Sequence, residues 1–582
     1  MSYSSTYFVM KKSLPQFLFV IFMLLPFKQF SQKVTVRTDF KQSLESVVEF
    51  NSKGVLMELI KPVADKYNNI EDYNYSISQL DTGFQTINSF DGKTFGFQKM
   101  RFMNRFIMKD KIVVVCMKVT KKPVKFQLYG FSIDKNTLKA DPSPALLLER
   151  DGTLNLKTGY SFFQRDNNYG IALGYNVQAE RYYSMAEIAI FNQELQLIHS
   201  FPSSLFLKED LGSTALPEKD YRLIRERSAN GNLFMTMPKE RYSVQPMLRD
   251  EFVFLDAENN LVIWMPVWSN SGKNDRDIFS HIIFKTLKSD KTVLTKCIDI
   301  SAFELYDVAL LYNPARKEIF LTGPYKGDAF GKYTAFTSAL YSYPDLKEQK
   351  KSTHPFSAEI GKAIHTFYDK PDMGEQGILY DADLMIPVAG QDGSYYTFYR
   401  YFYSDNMVGQ KRDFKNVSDM NKSFYELRSY DYRPFFFKRN DYGPIILAAL
   451  TPSLELKWTN IIPKWNQADG DHAFSGFHPI ASGKGLAVIY NELSENLSRS
   501  MNITEPKKSP DRLNKGVPVV VLIDENGKMT RKPLLTETED SSRLFDIANA
   551  VNTGPEKAVF ILKPSRPTFN YKFNFVEVDC SR

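Results

Sequence analysis

The chain has 582 residues, of which 43% are hydrophobic and 14% aromatic. This composition excludes a disordered chain, because it supplies enough apolar surface to build a core. The net charge of +7 is small for this length and argues against a dedicated nucleic-acid-binding protein, whose basic residues normally concentrate on one face.

Residues 1–32 have the pattern of a cleaved export signal. Lys11 and Lys12 precede an apolar stretch from Leu14 to Phe27, which is shorter than the roughly 20 residues that a membrane-spanning helix needs. The segment resembles export signals common in Bacteroidota. We therefore predict a signal peptide at 1–32, no transmembrane segment after its removal, and a location in the periplasm, at the cell surface or outside the cell. An uncleaved anchor is the alternative.

One pattern recurs along the rest of the chain: an apolar strand, a turn with Asp, Asn or Pro, and a second short alternating strand. Most of these hairpins follow another apolar strand, such as KIVVVCMKV or KGLAVIYNE, itself preceded by a weaker segment. Each period therefore offers about four strands. The candidate hairpins are YNYSISQLDTGFQTINSF, QLYGFSIDKNTLKA, EIAIFNQELQLIHSF, HIIFKTLKSDKTVLTKCI, SALYSYPDLKEQK, ILAALTPSLELKWTNII and PVVVLIDENGKMTRKPL.

Repeated four-stranded units suit a sandwich, a barrel or a propeller. A radial arrangement is favoured, because a four-stranded sheet cannot bury both faces alone, whereas blades around an axis bury them against each other. The continuous apolar runs VVVLI, IVVVCM and AVFIL are typical of strands buried on both faces. In this organisation the chain resembles the β-propeller superfamily over residues 33–582, without the signature of a specific family. The resemblance implies a single all-β propeller of four-stranded blades.

The two ends of this region complement each other. The last period supplies three strands, and residues 33–38, KVTVRT, form a short alternating strand. We predict that this strand becomes the outer strand of the last blade and closes the ring, which removes exposed edges. The count then favours eight blades, with seven as the alternative. Loop insertions near 404–423 and 503–516 account for the wide spacing of the units.

Carboxylates cluster in the segment that contains Asp381 and Asp383, together with Asp369, Asp372 and Glu375. Such side chains can bind Ca²⁺ or act as an acid and base on a sugar. The spacing differs from that of an EF-hand loop, and a solvated loop is the alternative interpretation. We keep Asp381 and Asp383 as binding candidates and predict no cofactor, with Ca²⁺ as the alternative.

Aromatic residues crowd the segment SYYTFYRYFY, which contains Tyr396 and Tyr399. Exposed rings can stack on carbohydrate or on a peptide. Alternating aromatic residues also fill the space between sheets. The sequence leaves both a binding role and a packing role open.

A third cluster, NQADGDHAFSGFHP, precedes an apolar strand. Segments between blades often reach the end of a propeller channel, so Asp469, Asp471 and His472 are the catalytic candidates and His478 is a binding candidate. Two carboxylates and an imidazole can hold a metal ion, but the spacing matches no established ligand pattern and no metal is predicted. A plain Asp-Gly turn is the alternative.

The usual local patterns of metalloproteases, nucleotide-binding loops and serine hydrolases do not occur in the sequence. An enzyme remains open, because residues contributed by separate blades leave no local motif. The main interpretation is an exported binding or scaffolding protein that uses propeller-face loops to hold a protein or polysaccharide partner. The alternative is a carbohydrate-active or other hydrolase with a carboxylate and histidine site at the channel mouth.

Overall fold

The chain forms β-strands in nearly every part that the computed structural model describes. Two single-turn 3₁₀ helices, Ser301–Phe303 and Ser494–Asn496, interrupt the described strands. The described residues are 33–38, 45–51, 54–64, 70–81, 85–92, 100–121, 123–141, 143–151, 160–165, 168–174, 182–184, 186–201, 206–207, 253–270, 277–288, 290, 292–305, 308–326, 333–357, 360, 382–384, 387–406, 438–464, 466–469, 476–483, 485–501, 516–535, 543–554, 556–564 and 573–581.

Eight four-stranded antiparallel sheets, here called blades, follow one another along the chain. The first strand, β1 (Lys33–Thr38), belongs to the last blade. Blade 1 contains β2 (Glu45–Asn51), β3 (Gly54–Ala64), β4 (Ile70–Leu80) and β5 (Thr86–Asp91), and blade 2 contains β6 (Arg101–Ile107), β7 (Lys111–Lys121), β8 (Val124–Asp134) and β9 (Ala145–Asp151). Blade 3 contains β10 (Tyr160–Arg165), β11 (Asn168–Gly174), β13 (Ala186–Asn192) and β14 (Leu197–Phe201), beside a small ribbon of β12 (Tyr182–Ser184) and β15 (Phe206–Leu207). Blade 4 contains β16 (Val253–Leu255), β17 (Leu261–Asn270), β18 (Asp277–Leu287) and β19 (Val293–Asp299).

Blade 6 carries two additional short strands that pair with its central strands, whereas the other blades of this half are regular. Blade 5 contains β20 (Ala309–Asn313), β21 (Glu318–Lys326), β22 (Tyr333–Ser342) and β23 (Glu348–Pro355). Blade 6 contains β24 (Ala382–Leu384), β25 (Val388–Ala389), β26 (Tyr395–Asn406), β27 (Lys438–Leu450), β28 (Leu456–Ile462) and β29 (Asn466–Asp469). Blade 7 contains β30 (His478–Ser482), β31 (Gly485–Leu493), β32 (Gly516–Asp524) and β33 (Met529–Pro533), and blade 8 contains β34 (Arg543–Gly554), β35 (Lys557–Pro564) and β36 (Phe573–Asp579), completed by β1.

The ring closes through the two ends of the described chain. Strand β1 pairs antiparallel with β36, so that Lys33 lies opposite Glu577 and Thr38 lies opposite Phe573. Strand β2 of blade 1 contacts β34 and β35 of blade 8. The predicted closure by KVTVRT and the favoured count of eight blades are both confirmed.

The first strand of each blade lies nearest the axis, and the fourth lies outermost. First strands of neighbouring blades contact one another, as β2 and β34 do, or β10 and β16. Strand β31, second in its blade, is buried throughout, whereas the outermost β23 is exposed at most positions. Shared clusters of buried apolar side chains join the successive blades. The core therefore lies between the blades, as radial packing requires.

In blade 1 and in blades 3 to 7 the hairpins predicted from the sequence are the third and fourth strands. In blade 2 the predicted hairpin, residues 127–140, covers the third strand and the turn after it, whereas the fourth strand begins later, at Ala145. Three of their turns share one device: a side-chain oxygen of Asn192, Thr451 or Asp524 accepts N–H groups two and four residues later. Such caps replace backbone pairing inside a tight turn. The residue two positions before each second strand is left-handed, with φ of 63° at Leu195, 60° at Leu454 and 82° at Gly527.

Alternating strand directions put two sets of connections on one end of the propeller, here called the upper face. These are the connections between second and third strands and those between successive blades. The predicted insertions near 404–423 and 503–516 fall in second-to-third connections, of which 407–437 and 502–515 lie outside the described residues, as does the predicted signal peptide at 1–32. No described helix is long and apolar enough to cross a membrane.

Candidate functional site

The acidic and histidine cluster of the sequence begins on the outer edge of blade 6. Asp469 ends β29, where its backbone lies opposite Arg439 of β27. Asp471 and His472 follow in the chain but lie outside the described residues. The structure therefore places the start of this cluster at the outer strand and the upper face, next to the passage into blade 7.

The second carboxylate group lies at the other radial end of the same blade. Asp383 is in β24, the innermost strand, opposite Arg400 of β26, while Asp381 lies outside the described residues. Across the sheet, Asp383 and Asp469 are three strand spacings apart, about 14 Å, because β26 and β27 lie between β24 and β29. They are also offset along the strands, since Asp383 is level with Ile445 of β27 and Asp469 is level with Arg439. The structure does not bring these two positions of the predicted clusters together.

Tyr396 and Tyr399 lie in the interior, with exposed fractions of 3% and 0%. The ring of Tyr399 packs 5.5 Å from Phe356, and the ring of Tyr396 lies 6.1 Å from Trp458, measured between centroids. Burial raises the pKa of Tyr396 to about 12. This is the arrangement that the packing interpretation of the aromatic segment describes.

His478 joins blades 7 and 8 near the axis. It starts β30, and its Nε2 lies 2.8 Å from Oδ1 of Asn552 in β34. Because an amide oxygen only accepts, Nε2 carries the proton and Nδ1 is left as an acceptor. The ring meets Phe560 edge-on at 5.5 Å, and burial lowers the pKa of the imidazole. His478 is thus a neutral, oriented imidazole on an innermost strand.

A buried charge pair that the sequence analysis missed lies at the upper end of blade 7. Glu492 of β31 is fully buried, and its Oε1 accepts hydrogen bonds from the Leu493 N–H at 2.9 Å and from Asn496 Nδ2 at 2.8 Å. Its Oε2 lies 3.6 Å from Nη1 of Arg531. Burial raises the pKa of Glu492, while these hydrogen bonds and the cation oppose the rise.

Arg531 connects this pair to the loop above it. Its Nη2 donates to the carbonyl oxygens of Asn496 and Arg499, the latter at 2.8 Å. Lys464 of blade 6, also fully buried, places a second cation near Glu492 and 6.0 Å from the Tyr490 ring centroid. Buried polar groups that satisfy one another fix a local geometry. The loop 494–501 is therefore held from below by side chains of blade 7.

Asn491 extends this polar framework to blade 8. Its Nδ2 donates to the Phe545 carbonyl at 2.8 Å, and its Oδ1 accepts from the Phe545 N–H at 2.9 Å. The amide side chain thus pairs with the backbone of β34 as a neighbouring strand would. One signal in the sequence was available: Asn491 and Glu492 interrupt the run GLAVIYNEL, in which every residue is buried.

The loop offers polar groups to solvent on its upper side. Glu495, Ser498 and Ser500 are exposed, although their backbone is fixed by the buried pair. Among the described residues, no three metal-ligating side chains converge on one point.

No protein-family model and no curated protein matches the chain. Solved structures similar to it include the β-propeller domain of the Trilobed protease from Pyrococcus furiosus, at 10% identity over 86% of this chain and 98% of that one with a TM-score of 0.31. Polysaccharide lyase Uly1 matches at 9% identity over 93% and 100%, with a TM-score of 0.32. Trypanosoma rangeli sialidase matches at 9% identity over 92% and 59%, with a TM-score of 0.26. Likenesses this distant carry no argument about activity.

Proposed function

We propose that the protein is an exported binding protein that holds a protein or polysaccharide partner on its upper face. The observation that carries the proposal is the loop 494–501, which Glu492 and Arg531 fix from below while its polar side chains face solvent. A loop that is already ordered loses little conformational entropy when a partner docks. Loops on a rigid scaffold are common places for recognition.

The export part of the proposal rests on the sequence of residues 1–32. Fractionation of cells that produce the full chain, followed by N-terminal sequencing, tests it. We expect the protein outside the cytoplasm with an N-terminus near Lys33. A cytoplasmic protein that keeps residues 1–32 would contradict this part.

Binding at the upper face can be tested with two charged substitutions in the same blade. Ser498→Arg places a bulky cation on the loop, and Asn526→Arg places the same group on an exposed turn of the lower face. In pull-downs and on glycan arrays, we expect Ser498→Arg to weaken retention of the partner at least tenfold. Asn526→Arg should bind like the unmodified protein; equal loss in both variants would contradict the proposed face.

A hydrolase is the second candidate, and one observation favours it. The neutral His478 and Asp383 both occupy innermost strands, in the neighbouring blades 7 and 6. If the protein cleaves a polysaccharide that it binds, reducing ends will accumulate with time, and Asp383→Asn and His478→Gln will stop that release. Binding without release of reducing ends supports the binding protein.

A further inference from the structure

The carboxylate of Glu492 lies between blade 7 and the loop 494–501. The residue is fully buried, and its Oε1 accepts a hydrogen bond of 2.8 Å from Nδ2 of Asn496 in the loop. Arg531 of β33 holds the same loop by donating to the carbonyl oxygens of Asn496 and Arg499. Opening of the loop therefore separates Glu492 from Asn496 and admits water to the carboxylate.

The second oxygen of this carboxylate has only long contacts with its partners. Oε2 lies 3.4 Å from the hydroxyl of Tyr490 and 3.6 Å from Nη1 of Arg531. Hydrogen bonds from a cation to a carboxylate are ordinarily about 2.7–2.9 Å long. Arg531 directs its other terminal nitrogen, Nη2, to the carbonyl oxygens of the loop. The closed loop thus leaves the ionised carboxylate with less compensation than water would supply.

The charges that act on Glu492 come from its own blade and from blade 6. Glu492 faces blade 6, because side chains alternate along a strand and its neighbour Asn491 faces blade 8. From that side the fully buried Lys464 adds a second cation to Arg531. Two charged residues of the loop are not among the main causes of the shift in the pKa of Glu492; they are Glu495 and Arg499. Lys464 and Arg531 are thus the charges that favour the ionised carboxylate.

Burial prevails over these favourable contacts. The pKa of Glu492 is raised above its ordinary value of 4.5, although the hydrogen bonds and both cations lower it. The closed state therefore binds a proton more tightly than the open state, in which water restores the ordinary pKa. By linkage, the closed state gains stability as the pH falls through the raised pKa towards 4.5, and it loses that stability as the pH rises.

We propose that Glu492 is the proton-sensitive residue of the upper face, so that the loop 494–501 is held closed more firmly as the solution becomes more acidic. The inference deepens the proposed binding function, on which its consequence for a partner rests. An ordered loop loses less conformational entropy when a partner docks, so retention of the partner should rise as the pH falls. The hold on the loop is measured without a partner, which separates failure of this inference from failure of the binding function.

Hydrogen exchange of the full chain at pH 5 and pH 8 tests the inference. Protection factors are compared for the backbone amides of the loop 494–501, because they divide out the intrinsic pH dependence of exchange. In the unmodified protein we expect protection to be at least about threefold higher at pH 5. Glu492→Gln keeps the shape of the side chain but cannot ionise, and it should give equal protection at both pH values. Glu525→Gln makes the same change at an exposed carboxylate of the lower face and should respond like the unmodified protein.

The unmodified protein alone can overturn the inference, because its comparison at two pH values needs no variant. Equal protection at both pH values, or lower protection at pH 5, overturns the inference. An equal pH response in a folded Glu492→Gln protein also overturns it, since another group would then titrate. Retention of a partner in any of these cases leaves the binding protein standing. The expected exchange pattern without any partner supports the proton-dependent loop and contradicts the binding function.

Discussion

Blades 5 and 6 are joined by aromatic rings, whereas the upper end of blade 7 is joined to its surroundings by buried polar groups. In the first region Phe320 stacks on Tyr395 at 4.2 Å, and both rings are fully buried. In the second region the hydrogen bonds are made by three buried side chains. Glu492 accepts from Asn496, Arg531 donates to the Arg499 carbonyl, and Asn491 donates to the Phe545 carbonyl. Apolar packing stabilises without demanding one geometry, while a buried polar network is costly to desolvate and specifies a geometry. The two regions therefore contribute stability and loop placement respectively.

The largest effect is expected in the aromatic region. Phe320→Ala removes a fully buried ring and its stacking on Tyr395, and it should lower the free energy of unfolding by about 4 kcal/mol. Urea unfolding followed by tryptophan fluorescence measures this loss. Ile87→Ala, at a side chain that is 52% exposed, is the control and should change little. A similar small loss for both variants would contradict the role given to the aromatic junction.

The polar region should be sensitive to the identity of one side chain. Glu492→Ala leaves Arg531 buried beside a cavity and should cost about 3 kcal/mol. Glu492→Gln keeps a side-chain oxygen for the Leu493 and Asn496 donors and should cost less. Limited proteolysis should cut the loop 494–501 faster in the alanine variant than in the glutamine variant. Equal proteolysis in both would mean that the hydrogen bonds of position 492 do not fix the loop.

A smaller effect is expected where a turn of blade 7 meets blade 6. Gly527 has φ of 82°, and an added Cβ would lie 2.7 Å from Cγ of Trp458. Gly527→Ala should therefore destabilise the protein by about 2 kcal/mol through backbone strain and displacement of the indole. Gly483→Ala is the control, because its nearest contact would be an ordinary 3.5 Å. Unchanged thermal midpoints in both variants would show that Trp458 moves aside and that the turn accepts the added methyl group.

The smallest effect concerns blade 8 at low pH. Burial alone would raise the pKa of Asp579, but hydrogen bonds from Lys557 and Ser581 outweigh it and hold the pKa at about 2. A lowered carboxyl pKa contributes stability above the ordinary value of aspartate, and that contribution disappears as pH falls towards 2. Lys557→Met should therefore cost about 0.5 kcal/mol at pH 7 and progressively less as the pH falls through about 2. Urea midpoints of both proteins are measured across this pH range. If the ion pair does not contribute to stability, the difference between the two midpoints will be the same at every pH.

The fold was predictable because its unit is local. Each third-to-fourth hairpin is contiguous in the chain, and its turn residues, such as Asp524 and Thr451, carry the cap that forms it. Runs such as Val519 to Val521 are buried on both faces, as their uninterrupted apolar character predicted. Strand β1 could be assigned because the last unit lacked one strand.

The candidate site was less predictable because its groups are far apart in the chain. Lys464, Glu492 and Arg531 come from two blades, and Asn491 bonds to a backbone 54 residues away. No local spacing encodes such contacts. His478 was singled out in an acidic segment, but the residue that orients it is Asn552, whose surrounding sequence has no unusual feature.

The pairing of β1 with β36 has a mechanical consequence. Because the two strands run antiparallel and Lys33 lies opposite Glu577, the first residue of β1 and the last residue of β36 lie at the same end of the pair. Tension applied to these two strand ends would peel the strands apart one residue pair at a time rather than slide them past each other. The pairing of β1 with β36, which completes the ring, is therefore also the place where pulling would begin to open it.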